Sequence, residues 1–266
     1  MVVSLRGDYR FIRFSTIVEI MPYIARIPTP IFNTPDIPFN YLPLKKDNQG
    51  RLMEMETIAF PGTKFKLLSK ISDNIFQVQT AEYPSTAALY VDSRFLQKAS
   101  ENTPERVKKL PPIDKILSWI EERAGLRYFW GGNWDTGIPE ILEFYPFLKD
   151  ASLEDRDDAV CRGLDCSGLL YQATDGYIPR NTSDLIHFGI EVPIEDIKPL
   201  DLLTWDGHVI IVKSPATLIE SRVGNGVVIS SFEKRYPEVL DLLKTKNKQL
   251  YIRRWHPEMS NRFTEL

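Results

Sequence analysis

The sequence predicts an α+β fold class, built as a small all-β unit ahead of a larger α+β domain. Three observations carry this. Short, partly alternating runs separated by turn residues fill residues 63–96. One strongly amphipathic helix pattern opens after Pro112, and strand-like runs dominate from Leu202 onward. At 266 residues the chain also exceeds the usual domain length of roughly 100–150 residues, which favours two units over one.

Composition narrows the function classes. The hydrophobic fraction of 43% and charged fraction of 26% are those of an ordinary globular chain, not of a disordered one. A net charge of −3 leaves no basic footprint, so no nucleic-acid partner is expected. No window holds the roughly eighteen apolar residues of a membrane span, and none is expected. The first twenty residues carry Arg6, Asp8, Arg10 and Arg13 where a secretory signal needs an unbroken apolar run, so the cytoplasm is the expected compartment. Met21 opens "MPYIARIPTP", and residues 1–20 are read as an N-terminal extension. With two cysteines, Cys161 and Cys166, there is neither a disulfide framework nor a C-x-x-C spacing. No metal or cofactor is expected.

The elements follow in order. Prolines at 22, 28, 30, 35, 38 and 43 exclude helix and central strand for most of residues 22–46. "TKFKLLSK", "NIFQVQTA" and "AALYVDSRFL" then read as short β-strands with the rhythm of a small barrel, giving an all-β unit over 21–100. "ENTPERVKKLPP" reads as a linker over 101–111, and 112–266 as the second domain. There "PIDKILSWIEERAG" sets Ile113, Ile116, Leu117 and Ile120 on one helical face and stops at Gly125. "CSGLLYQAT" is a second, short helix. "LLTWDGHVIIVK", "TLIESRV" and "GVVISSF" are strands, the last two joined through Asn225-Gly226, and "QLYIRRW" is a candidate to close the sheet.

Within this frame Cys166 occupies a distinctive place. It begins a helix, where unpaired N–H groups and the dipole favour a thiolate, and it stands between an acid and a hydroxyl rather than among apolar neighbours. Gly168 is expected to leave room near the sulfur for a substrate carbonyl. His208 heads "HVIIV" directly after Asp206-Gly207. If that strand folds back on "ATLIESR" around Lys213-Ser214-Pro215, His208 lies directly opposite Glu220. A carboxylate there can accept the Nδ1 hydrogen and present Nε2 to the thiol. A solvated strand acid is the other reading of Glu220, and Asp206 is the next candidate for that role.

The motifs "RYFWGG" from Arg127, "DCSGLL", "PRNTSD" from Pro179, "IKPLDLLTW" and "GHVIIV" together resemble the NlpC-type cell-wall cysteine peptidases. That family's pattern runs from Tyr-x-Trp-Gly-Gly through Asp-Cys-Ser-Gly, Pro-Arg-x-Ser/Thr and a Gly-Asp-Leu strand to His-Val-Gly-Ile. The resemblance covers about residues 112–232. It implies a papain-like catalytic domain that hydrolyses amide bonds of peptidoglycan stem peptides, often the γ-D-glutamyl bond to diaminopimelate or lysine. Carried over, Cys166 is the nucleophile, His208 the general base and Glu220 the third polar member. Tyr128 stands beside the oxyanion region, Asp165 and Ser167 flank the thiol to hold the substrate's amino end and acidic group, and Thr182 closes the Pro-Arg-x-Ser/Thr substrate motif.

Three departures from the pattern stand out: Leu200 and Ile210 replace glycines, and residues 133–164 form a long acidic insertion that either caps the groove or is a surface elaboration. The front unit resembles bacterial SH3-like modules, which in cytosolic members wall off one end of the cleft and supply a carboxylate and a tyrosine; Glu56 and Tyr90 stand at plausible positions. The expected function is a cytosolic endopeptidase of wall recycling that releases L-Ala-D-Glu from peptides with a free L-alanine amine. The alternatives are an exported hydrolase of intact wall, a transferase using the same acyl-enzyme, and a non-catalytic wall-binding protein.

Overall fold

The computed structural model describes residues 22–40, 43–145 and 152–259. The extension expected over 1–20 lies outside the described residues.

The front half is one antiparallel sheet of seven strands: β1 (Pro22–Ala25), β2 (Thr29–Phe32), β3 (Met55–Ala59), β4 (Lys64–Lys70), β5 (Ile75–Gln79), β6 (Leu89–Asp92) and β7 (Leu96–Lys98), in the order β3-β2-β6-β5-β4-β1-β7. The proline-rich stretch thus supplies two strands, against expectation. Pro22 is the first residue of its strand. Pro30 pairs with Ile58, but β2 meets β6 only at Phe32 and Tyr90, so Pro30 sits where the second ladder is not formed and its missing N–H is tolerated.

The second half begins with α1 (Ile113–Glu121), whose Ile116 and Ile120 are fully buried, and the chain leaves it at Gly125 with φ +87°. Then come β8 (Asn133–Trp134), α2 (Ile141–Phe144), α3 (Leu153–Ala159), β9 (Gly163–Leu164), α4 (Cys166–Ala173) and α5 (Thr182–Leu185). Strands β10 (Ile190–Glu191), β11 (Leu202–Trp205), β12 (His208–Ser214), β13 (Thr217–Arg222) and β14 (Gly226–Ser231), helix α6 (Phe232–Lys246) and strand β15 (Tyr251–Arg254) complete it. The six-stranded order is β10-β15-β11-β12-β13-β14, so "QLYIRRW" does not close the sheet but lies inside it.

This sheet is packed on both faces. Val209, Ile211, Ile219 and Val227 join Leu169 and Leu170 of α4 and Ile116 and Ile120 of α1. Leu203, Ile210, Val212 and Leu218 join Val239 and Leu243 of α6. The alternation of neighbours along β12 is the period of a strand buried on both sides. Ile210, the second departure from the motif, fills the α6 side of that core. Leu200, the first, adopts φ +75°, the left-handed conformation that explains a glycine in the pattern.

The two halves share a core. Phe32, Met55, Ile58 and Phe95 of the front sheet cluster with Phe129, Ile138, Ile141 and Tyr145 of the second half. Burial of each such side chain stabilises by roughly 1.5–3 kcal/mol, so this shared cluster holds the two halves together. The insertion's residues up to Tyr145 wedge between the halves: Ile138 and Ile141 fill the shared core, and the Tyr145 hydroxyl donates to Asp92 Oδ2 at 2.6 Å. The segment read as a linker is pinned too. Arg106 binds Glu82 at 3.0 and 3.1 Å and Asp175 at 2.6 Å. Among the described residues no helix is long and apolar enough to cross a membrane.

Candidate active site

The site is assembled around the start of α4. Asp165 caps the helix, its Oδ1 accepting from Gly168 N at 2.6 Å, so Cys166 is the first helical residue, where free N–H groups gather. Asp165 N donates to Gly132 O at 2.9 Å, and β8 pairs with β9 through Asn133 and Leu164. These contacts tie the Trp-Gly-Gly block to the cysteine turn.

Asn133 then draws in the front sheet. Its side chain is fully buried and works as a strand partner for β3: Oδ1 accepts from Ile58 N at 2.8 Å and Thr57 Oγ1 at 3.0 Å, and Nδ2 donates to Ile58 O at 2.8 Å. Buried Arg180 completes the junction. It grips both oxygens of Asp165 at 3.0 and 2.6 Å, donates to Ser167 Oγ at 2.8 Å, and reaches Thr57 Oγ1 at 2.9 Å.

Asp165 and Ser167 are thereby engaged inward. Both are buried, and the Asp165 carboxylate already accepts from Arg180, Gly168 and Ser167. The expectation that this pair holds the substrate's amino end meets a physical obstacle: both groups are already hydrogen-bonded away from solvent. Thr182 is engaged as well, its Oγ1 accepting from Gly207 N at 3.0 Å in the turn before His208.

His208 opens β12, its ring 5.1 Å from that of Trp205. Glu220 lies on β13 and accepts from it, with His208 Nε2 and Glu220 Oε2 2.7 Å apart. Two details of this pairing differ from expectation. Ile211 faces Ile219 and Ser214 faces Thr217, so the turn is Pro215-Ala216 and a bulge at Lys213 shifts the ladder. Continued, that register sets Glu220 opposite Ile210, and His208 reaches it diagonally. The ring is also turned: Nε2 serves the carboxylate, which leaves Nδ1 for Cys166. Asp206, the fallback, is largely exposed and bound by Lys248.

Charges reinforce the arrangement. Burial alone would lower the His208 pKa, but the hydrogen bonds to Cys166 and Glu220 outweigh it and raise the value to about 9. The Glu220 carboxyl is held below its ordinary range: burial opposes this, and the hydrogen bonds from His208 and Arg235 overcome it. Arg235 was not singled out by sequence reasoning, because α6 went unrecognised: Pro237 reads as a breaker, and its buried residues are only Val239 and Leu243. Tyr128 is pushed upward by burial and by the charges of Asp165 and Cys166, so it stands beside the thiol as a protonated phenol.

At the far side, Glu56 on β3 is half-buried and accepts from Tyr83 OH at 2.6 Å and Asn33 Nδ2 at 2.8 Å. Tyr83 lies 3.4 Å from Asn181 and, with Arg180, lines a pocket of about 330 Å³. The tyrosine brought to Glu56 is therefore Tyr83. Tyr90 instead pairs with Gln77 and Phe32 and packs against the shared core. Tyr83 stands before Pro84 in the turn between β5 and β6, and nothing else in the sequence singles it out. Among the described residues no group of three or more His, Cys, Asp or Glu could hold a metal.

No protein-family model and no curated relative matches the sequence. Solved structures do. An NlpC/P60 family protein from Bacillus cereus is 18% identical with TM-score 0.39, covering 89% of this chain; the chain spans 64% of that protein's length. The peptidoglycan hydrolase RipB from Mycobacterium tuberculosis is 22% identical with TM-score 0.37, over 53% of this chain and 63% of its own. RipD of the same organism, described as a non-catalytic NlpC/p60 domain protein adapted to peptidoglycan binding, is 17% identical with TM-score 0.37, over 53% of this chain and 95% of its own. The solved structures to which this chain is similar are thus NlpC/P60 family proteins.

Proposed function

We propose that the chain is a cysteine peptidase of the NlpC type that hydrolyses the γ-D-glutamyl bond to a diamino acid, diaminopimelate or lysine, in peptidoglycan stem peptides. Its substrates begin with a free L-alanine amine, its product is L-Ala-D-Glu, and its setting is recycling of wall fragments in the cytoplasm. The observation that carries this reading is the Cys166–His208–Glu220 line, with Nε2 of His208 fixed at 2.7 Å from a buried carboxylate and the thiol at a helix start.

The chemistry follows from that geometry. The Cys166 sulfur attacks the γ-carbonyl carbon, and the oxygen takes up the electron pair near the Tyr128 phenol and the first N–H groups of α4. His208 gives its proton to the leaving amine as the C–N bond breaks, leaving an acyl-enzyme. Water, deprotonated by the now neutral imidazole, attacks the thioester and frees the thiol. Glu220 holds the ring throughout. The front sheet, read as an SH3-like module, closes one end of the cleft with Glu56 and Tyr83, a carboxylate and a hydroxyl suited to an ammonium.

Incubation with L-Ala-γ-D-Glu-diaminopimelate, its lysine analogue and the muramyl-linked form, followed by mass spectrometry, tests the reading. Release of L-Ala-D-Glu from the free peptides supports it. Cleavage of intact wall in preference to free peptides points to an exported hydrolase, and binding without cleavage to a wall-recognition protein.

A further inference from the structure

We propose that Arg235 is a positioning residue of the active site, a fourth member that holds Glu220 ionised and aimed at His208. The proposal rests on the reading of Cys166 and His208 as a reactive pair, and it concerns a helix, α6, that none of the site motifs include. Arg235 Nε donates to Glu220 Oε1 at 2.7 Å and Nη2 donates to Oε2 at 3.1 Å, a two-point grip on a carboxylate that is 1% exposed. The same Oε2 takes the His208 contact at 2.7 Å. The guanidinium fork therefore fixes the plane of the carboxylate, and through it the rotation of the imidazole that leaves Nδ1 for the thiol.

Once Cys166 is ionised, the charges along this line alternate: thiolate, imidazolium, carboxylate, guanidinium. Each charge is taken out of water, so each needs its neighbour. The groups facing Glu220 are His208 from β12, Arg235 from α6 and Arg222 from its own strand, the last at 3.9 Å. Glu238 meets Arg235 at 3.1 Å from the solvent side. With Arg235 removed, the buried carboxylate keeps the His208 ring at 2.7 Å and the more distant Arg222 at 3.9 Å, and neither grips it at two points. The positive charge that balances Glu220 is then smaller, so the field at Cys166 turns more negative and formation of its thiolate is disfavoured. A guanidinium within this distance ordinarily moves a carboxyl by about one to three pH units.

The test uses alkylation of Cys166 by iodoacetamide across pH, which reads the thiolate directly and needs no substrate. Arg235→Met is expected to move the acid limb of the rate profile up by about one unit, so that the rate on that limb falls about tenfold while the plateau above it stays within about twofold. Arg235→Lys, which keeps a charge but not the fork, is expected to shift the limb by less. Glu238→Gln, on the exposed side, is expected to leave it in place. If the Met variant does not fold, the Lys variant decides by any upward shift of the limb. A folded Met variant, or failing that a Lys variant, with the wild-type acid limb overturns the proposal, as does an equal shift in Glu238→Gln. A wild-type profile with this limb but without peptide hydrolysis would overturn the peptidase reading alone.

Discussion

Gly168 of α4 lies directly against the backbone of Gly132: a Cβ built on Gly168 would fall 2.0 Å from the Gly132 carbonyl oxygen and 3.0 Å from Asp165 Oδ1. The glycine after the cysteine thus leaves room for the chain's own Trp-Gly-Gly block, rather than for a substrate carbonyl as the sequence suggests. Neither neighbour can give way, because Gly132 O accepts from Asp165 N and Oδ1 caps the helix. Gly168→Ala is expected to destabilise by at least about 3 kcal/mol and to displace Cys166. Thermal unfolding checks it: a Tm within about a degree of wild type would show that the contact relaxes freely.

The same pair shows what was legible in sequence. The helix start at Cys166, the strand at His208 and the acid at Glu220 were readable because each follows from local chemistry: an N-cap acid, a turn glycine and strand alternation. Partners that depend on chain-distant packing were not. Arg180 bridges Asp165 to Thr57, and Arg235 reaches Glu220 from a helix whose amphipathic signal is interrupted by Pro237. The register of β12 with β13 was misread by a single turn residue and a bulge, although the two side chains still meet.

The two cysteines should behave as opposites. Cys161 is fully buried at φ +54°, and burial with the Asp158 charge nearby pushes its thiol well up, whereas Cys166 meets His208 at the helix start. Native protein is expected to take one equivalent of iodoacetamide, on Cys166 alone, by peptide mapping. Cys166→Ala should abolish hydrolysis while a folded Cys161→Ala retains it; equal loss in both would sink the assignment.

The His208 pairing makes stability depend on pH. Its pKa is raised from 6.5 to about 9, so the stabilisation is fully present below about pH 6.5 and is lost as pH rises through about 9. Wild-type Tm is therefore expected to fall across that window, and His208→Gln to flatten the fall. Hydrolysis should lose its alkaline limb near the same pH, where the imidazolium disappears. A His208→Gln variant whose Tm declines as steeply as wild type would assign the titration to another group.

The last prediction concerns the amino end of the substrate. The Asp165 carboxylate is tied to Arg180, Gly168 and Ser167, so the acid left to meet an ammonium is Glu56, oriented by Tyr83 and Asn33. An ammonium–carboxylate contact in a partly desolvated site is worth roughly 1.5–3 kcal/mol, so its loss should lower kcat/KM by about one to two orders of magnitude. Glu56→Gln should show that full loss, because the Asp165 carboxylate is already engaged by Arg180 and Gly168. Tyr83→Phe, which keeps the charge but removes the 2.6 Å hydrogen bond, should lose less, and Tyr90→Phe almost nothing. N-acetylation of the tripeptide should cost wild type at least as much as Glu56→Gln, yet cost the Glu56→Gln variant far less, because the contact that acetylation removes is already gone. Equal acetylation penalties in the two proteins would place the ammonium elsewhere in the cleft.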